Sequence, residues 1–271
     1  MKKLSLLLVL ITSLAFGQKI SNDLHGYYKA ESDTLLYSYF AFDGNGKVDI
    51  TGLGKGDFFR KGDSLIIYPD KSIFKFKIEK NKLRGTSDWV KNGTWIKRDT
   101  LIENHRKDPN LAQKRAELLA EYYQKNNGKT DFALFFDESE IKERYNMISD
   151  LCTRGLPKAC LEVFGMKIAD DMGGVSAILS GKTNKNMVEN PDIVALGNKI
   201  VDMGEEEGHT ALGTYYYTIG QKEKAYTEWD KAIQKGSMRA SMARLGAEFQ
   251  EEEAKAQKEK KKKPLPKKKK K

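Results

Sequence analysis

Histidine and cysteine are scarce in this chain, at three and two residues among 271. His25, His105 and His209 have no partner at metal-ligand spacing, and no His-Glu-x-x-His motif occurs, which removes the common helical zinc site. Cys152 and Cys160 stand eight apart, so the two-residue spacing of a thioredoxin-type redox site is missing, and a zinc site would lack its other ligands. Gly52-Leu53-Gly54-Lys55-Gly56 has no terminal Lys-Ser or Lys-Thr pair and lies between strand-like runs, so it reads as turns and not as a phosphate loop. Ser87 and Asp88 have no nucleophile elbow around them, and Asp137, Glu138, Glu140, Glu143 and Glu205 to Glu207 read as caps and solvated helix faces. The expectation is a protein without catalytic residues, metal or cofactor.

Long apolar runs are also lacking. Leu4 to Ile11 is the main one, and it is shorter than the roughly 20 residues that cross a bilayer. Lys2 and Lys3 precede it, and Ala15-Phe16-Gly17 places small residues at the −3 and −1 positions of a cut after Gly17. That order of features predicts a secretory signal peptide over residues 1–17 and a product that is periplasmic or extracellular. The ending Phe16-Gly17-Gln18 is similar to signal peptides of the Bacteroidetes type. No cysteine follows the run, so a lipoprotein anchor is not expected. The formal charge of +10 is unevenly placed. Residues 258–271 hold ten lysines and one glutamate, the first three residues add two more positive charges, and the body between is close to neutral. A generally basic, nucleic-acid-binding fold is therefore not expected.

Residues 24–98 are rich in short alternating and aromatic runs. Leu35 to Phe42 leads through Asp43-Gly44-Asn45-Gly46, a hairpin signal, into Lys47 to Thr51. Asp57 to Arg60, Ser64 to Tyr68, Ser72 to Glu79, Lys82 to Ser87 and Thr94 to Ile96 follow, separated by glycine or asparagine turns. Seven or eight strands of this kind predict an antiparallel meander that hides one face, by closing into a small barrel or by packing a second sheet or helix on it. The short strands and glycine spacing resemble a compact lipocalin-like module. Phe40, Phe42, Phe58, Phe59, Ile66, Phe74, Phe76, Trp89 and Trp95 form its apolar inventory, available either for a core or for the wall of a small apolar ligand's cavity.

Residues 99–107 are polar and read as a linker, and Asp108-Pro109 opens a helical region over 108–257. Repetition is its main signal. Gly155, Ala159, Phe164 and Gly165 recur without a gap as Gly236, Ala240, Leu245 and Gly246. A third copy ends at Leu212-Gly213 and takes Gly204 or Gly208 as its turn. The first glycine ends a helix, the alanine permits close approach, and the second glycine is expected where a helix pair crosses. The clearest unit contains Ala211, Leu212, Gly213, Tyr215, Gly220, Ala225, Trp229, Ala232 and Gly236. This pattern resembles the Sel1-like branch of the tetratricopeptide repeat family. From Gly213 to Gly246 is 33 residues, close to one such repeat, whereas Gly165 to Gly213 is 48 and suggests an inserted connection around Gly173 to Asn190.

The fold expected overall is mixed, a small antiparallel β barrel or sandwich followed by α-α helical hairpin repeats. Cys152 and Cys160 straddle the Gly155-Leu156-Pro157 turn, where they either bridge or remain two buried thiols; cysteine-rich Sel1-like proteins staple each hairpin in this way. The resemblance implies an inner face that takes an unidentified protein or peptide partner, with Tyr216, Tyr217, Arg244 and Glu248 as contacts and Tyr215 in the core. The alternative function is carriage of a small apolar ligand in the β domain. The tail, 258–271, is expected to be unfolded. It either contacts an anionic surface, binds nucleic acid (the least favoured partner in an exported protein), or only solubilises the chain's end.

Overall fold

The computed structural model describes residues 19–51, 53–69, 72–100, 108–129, 141–184 and 186–262, with side chains from 142 and up to 257 in the last two segments. The expected signal peptide and the last nine residues of the lysine tail lie outside them. By contact the chain divides after Leu156, later than the polar stretch at 99–107 where composition changes.

In the first unit, nine strands form one sheet: β1 (Ile20–Ser21), β2 (His25–Ala30), β3 (Tyr39–Asp43), β4 (Lys47–Ile50), β5 (Gly54–Lys61), β6 (Ser64–Tyr68), β7 (Phe74–Glu79), β8 (Lys82–Gly85) and β9 (Thr94–Arg98). Strands β2 to β9 pair in chain order, and β9 returns to pair with β2 through Tyr27↔Arg98 to Ala30↔Trp95. The result is a closed eight-stranded antiparallel barrel, which leaves no sheet edge between its first and last strands. The short β1 caps the free end of β5.

Alternation along the strands decides what fills the barrel. Tyr28 and Ala30, Phe40 and Phe42, Val48 and Ile50, Phe74 and Phe76, Leu83, and Trp95 all point inward. Phe40 makes edge contacts with Phe74, Phe76 and Trp95, and Phe42 does so with Phe58. The Trp95 indole N–H donates to the Tyr37 carbonyl at 2.8 Å, which satisfies its one polar atom in the core. At Gly85 the loop carrying Val90 passes so close that a Cβ would stand 1.8 Å from the Val90 carbonyl oxygen. Three members of the apolar inventory lie elsewhere. Trp89 is 60 % exposed in that loop, while Phe59 and Ile66 are buried but outside the interior cluster.

Phe59 and Tyr68 face outward because a helix covers them. Helix α1 (Pro109–Lys125) is capped by Asp108, whose carboxylate accepts from the Asn110 and Leu111 amides. Its Tyr122 and Tyr123 meet Tyr68 and Phe59, with ring centroids 5.7 and 5.8 Å apart. Asn22, almost wholly buried, donates to the Ala112 carbonyl at 2.8 Å, and Gln113 donates to the Ile20 carbonyl. The helical region therefore begins with a helix that serves the barrel. Helix α2 (Ile141–Thr153) follows and packs on α1. Glu121 of α1 accepts two bonds from Arg154, at 3.0 and 2.7 Å, and pairs with Lys125 at 2.8 Å.

The second unit contains α3 (Pro157–Asp171), α4 (Gly174–Leu179), α5 (Pro191–Asp202), α6 (Glu207–Thr218), α7 (Lys222–Gln234) and α8 (Met238–Lys262). Leaving out the short α4, each helix packs on the next, and α3 with α6 and α6 with α8 also touch, so the helices form a packed bundle. Gly204, Gly220 and Gly236 terminate helices with φ of +83°, +80° and +90°. The irregular stretch before α5 is held by Tyr215: the Asn190 amide donates to its hydroxyl at 2.6 Å. Helix α8 continues to Lys262, five residues into the stretch expected to be unfolded. Its Glu, Ala, Lys and Gln residues favour helix, and the first breaker is Pro264.

The Arg154 and Lys125 hydrogen bonds lower the Glu121 carboxyl from 4.5 to about 2. Because the folded value lies below the unfolded one, this stabilisation is complete above about pH 4.5 and is lost as pH falls towards 2. Glu121→Gln is expected to flatten the fall in melting temperature over that window, and added salt to reduce the difference between the proteins.

Candidate functional site

The residues singled out by repetition divide into a packed set and an open set. Ala159, Ala225, Ala232 and Ala240 are fully buried, and Leu212 and Trp229 are nearly so. Ala211 is half-buried. At Gly213 a Cβ would stand 2.4 Å from the Trp229 ring, so α6 and α7 approach as closely as they do only because that position is glycine. Trp229 also packs on Tyr217 and, edge-on, on Tyr226. Gly155 sits at φ +103°, and Gly204, not Gly208, makes the turn of the third copy; Gly208 lies within α6 against Val201. Gly165 and Gly246 differ from expectation. A Cβ at either would meet nothing within 4 Å, so neither marks a crossing. The crossing glycine in α5 is Gly197, against Leu212 and Phe164, which the spacing pattern does not reveal.

Cys152 and Cys160 are disulfide-bonded. Both are buried, Cys152 near the end of α2 and Cys160 in the first turn of α3.

The expected partner contacts are largely engaged within the chain. Tyr215 is fully buried against Phe164, as expected of a core residue. Tyr216 is only 8 % exposed, with the Lys224 ammonium 5.1 Å from its ring centre and that lysine bonded to Glu189. Tyr217 is half-buried on Trp229, and its hydroxyl reaches the Ala247 carbonyl. Arg244 pairs with Asp230 and with Glu248 at 3.0 Å, and lies over the Tyr226 ring. Intramolecular partners 4 to 30 residues away in sequence claim these side chains.

A polar cluster joins α6, α7 and α8. His209 Nδ1 lies 2.7 Å from Glu228, and its Nε2 is 3.2 Å from the Lys235 ammonium. Burial pushes the Glu228 carboxyl up, but hydrogen bonds from Lys231 and His209 outweigh it and leave a net lowering. Burial raises the Glu207 carboxyl, against the opposing pull of Arg239 and Ser237. The Ser237 hydroxyl contacts Thr210 and Glu207. Serine and histidine thus belong to separate hydrogen-bonded chains that tie helices together. Among the described residues no group of three His, Cys, Asp or Glu side chains converges as a metal site. No described helix is long and apolar enough to cross a membrane.

What the repeat pattern leaves uncovered is a stripe on α8. Met238, Met242, Leu245 and Phe249 are 46, 64, 46 and 58 % exposed, and their 4-3-4 spacing aligns them on one side of the helix. The helix's other side carries the buried Ala240 and Ala247 into the unit's core. Leu245, aligned in sequence with the buried Phe164, is therefore on the outer side, and Gly246 beside it opens space next to the stripe. The heptad spacing was readable from residue types alone; that this side faces outward was not.

A scan against protein-family models finds no match, and searches of curated proteins and of solved structures find none either.

The two classes of repeat glycine should respond oppositely to a methyl group. Gly213→Ala is expected to lower unfolding free energy by about 1–3 kcal/mol through overpacking against Trp229. Gly246→Ala, inside a helix with open space, is expected to raise it by about 0.5–1 kcal/mol. Urea titration of the two variants reads both signs. Reduction of the Cys152–Cys160 bond is expected to cost about 2–3 kcal/mol in the same assay.

Proposed function

We propose that this is a non-enzymatic protein of the cell envelope that binds a protein or peptide partner through its helical hairpins, of the Sel1-like kind. The observation that carries the reading is the stripe of Met238, Met242, Leu245 and Phe249, a run of large apolar side chains left in water on an otherwise charged helix. Two methionines give it an adaptable surface, and i, i+4, i+7, i+11 spacing is the spacing by which one helix lies against another. The partner contact is therefore assigned to the outer side of α8, in place of Tyr216, Tyr217, Arg244 and Glu248. Export is supported by the order of charged, apolar and small residues at 1–17 and by oxidised cysteines, which persist in oxidising compartments. The ring contacts within the barrel support a packed core there over a ligand cavity.

A photo-crosslinking residue placed at Met242 in the native host is expected to give a discrete adduct, and one at the exposed Glu223 is not. Met242→Glu with Phe249→Glu should lower the yield from a probe at Leu245 without lowering the melting temperature, because both side chains are exposed. Adducts of equal yield from positions 242 and 223, or none from either, would contradict the assignment. An adduct of twice the chain's mass would identify the partner as a second copy.

A further inference from the structure

The outer surface of the barrel carries a second feature that the helical reading does not use. Tyr27 and Lys29 alternate with the inward Tyr28 and Ala30, and Tyr39 alternates with the inward Phe40. All three therefore stand on the outside of β2 and β3. Pairing aligns Lys82 with Ile96, Ile96 with Lys29 and Lys29 with Tyr39, a row crossing four strands and spanning about 14 Å. In the adjacent row Arg98 lies opposite Tyr27. The Tyr27 and Tyr39 rings stack with centroids 5.2 Å apart and planes inclined by 29°, both half-buried. Lys29, Lys82 and Arg98 are exposed around them. Neither Lys29 nor Arg98 enters an ion pair among the described residues, whereas Lys82 is 3.8 Å from Glu31.

We propose that this face binds an acidic polysaccharide, with the Tyr27–Tyr39 pair as the stacking platform for a sugar ring and Lys29 and Arg98 as the cations for its carboxylates. The charge supports a polyanion. Two features favour a glycan over single-stranded nucleic acid. The two rings are already stacked on each other, so no slot remains between them for a base, and one outer ring face suits the C–H face of a sugar. Acidic groups are interspersed as well: Asp49 accepts from the Tyr39 hydroxyl at 3.5 Å, and Glu31 lies by Lys82. Carboxylates of this kind accept from sugar hydroxyls, which the internal units of a DNA strand lack.

Titration calorimetry of the full chain with polygalacturonate oligomers, neutral dextran oligomers and oligo-dT tests this. Polygalacturonate is expected to bind. Tyr27→Ala, and separately Lys29→Glu with Arg98→Glu, should each raise its Kd at least ~10-fold, while Tyr27→Phe keeps it within about twofold. A binding phase that persists unchanged in both variants is assigned to the lysine tail, and the Kd values compared are those of the other phase. The charge variant alters only exposed side chains, and an unchanged melting temperature separates lost binding from lost folding. Unchanged Kd values in both variants would overturn the proposal. So would dextran binding as tightly as polygalacturonate, or oligo-dT binding more tightly with the same dependence on Tyr27.

Discussion

Close approach at points where a Cβ would not fit is the constraint on which both units depend. In the barrel, Gly85 admits the Val90 carbonyl, and that passage lets the loop close over the end of β8 with Val90 in the core. In the helical unit, Gly213 admits the Trp229 ring and Gly197 admits Leu212. Each glycine costs conformational entropy and adds no packing atoms of its own. The return is a large side chain or a backbone segment placed where dispersion contacts are dense. Glycines without this role, Gly165 and Gly246, show that the residue alone does not mark a crossing.

Coverage explains most of what surrounds these contacts. The sheet removes its own edge by pairing β2 with β9, and its interior is filled by aromatic side chains in edge contact. Its outer side carries buried Phe59, Ile66 and Tyr68, where α1 lies over it and polar ties from Asn22 and Gln113 orient the helix. Elsewhere the outer face is charged and aromatic. In the helical unit, His209, Glu228 and Lys235 form one polar tie between helices, and Thr210, Ser237 and Glu207 form another. Against that background of satisfied groups, the uncovered side of α8 is conspicuous. Four large apolar side chains left in water on one side of a helix cost free energy that burial against another surface recovers.

Strands β3 to β9, the start of α1 and several glycine turns were legible in the amino-acid order, because a period of two, a proline after aspartate and a glycine at positive φ are local requirements; β2, whose pairing with β9 closes the barrel, was not among the runs singled out. The core position of Tyr215 was legible too, and so were the cysteines that form the disulfide. The surroundings of the candidate partner residues were not legible. Three adjacent tyrosines point in different directions on a helix, and the environment of each depends on elements far away in sequence. Tyr216 is covered beside Lys224, and Tyr217 lies on Trp229. Arg244 pairs with Asp230, 14 residues earlier.

By itself, then, the sequence determined the strands from Tyr39 onward, where they turn, the start of α1, and that Cys152 and Cys160 stand on either side of a turn. These follow from φ/ψ limits and from side-chain periodicity, which act over a few residues. Only the tertiary structure decided that α1 serves the barrel, that Gly197 and Gly213 mark the crossings, and that Met238, Met242, Leu245 and Phe249 face water. Whether an apolar face becomes core or surface depends on what another part of the chain presents to it. That is set by the packing of distant elements and not by any local pattern.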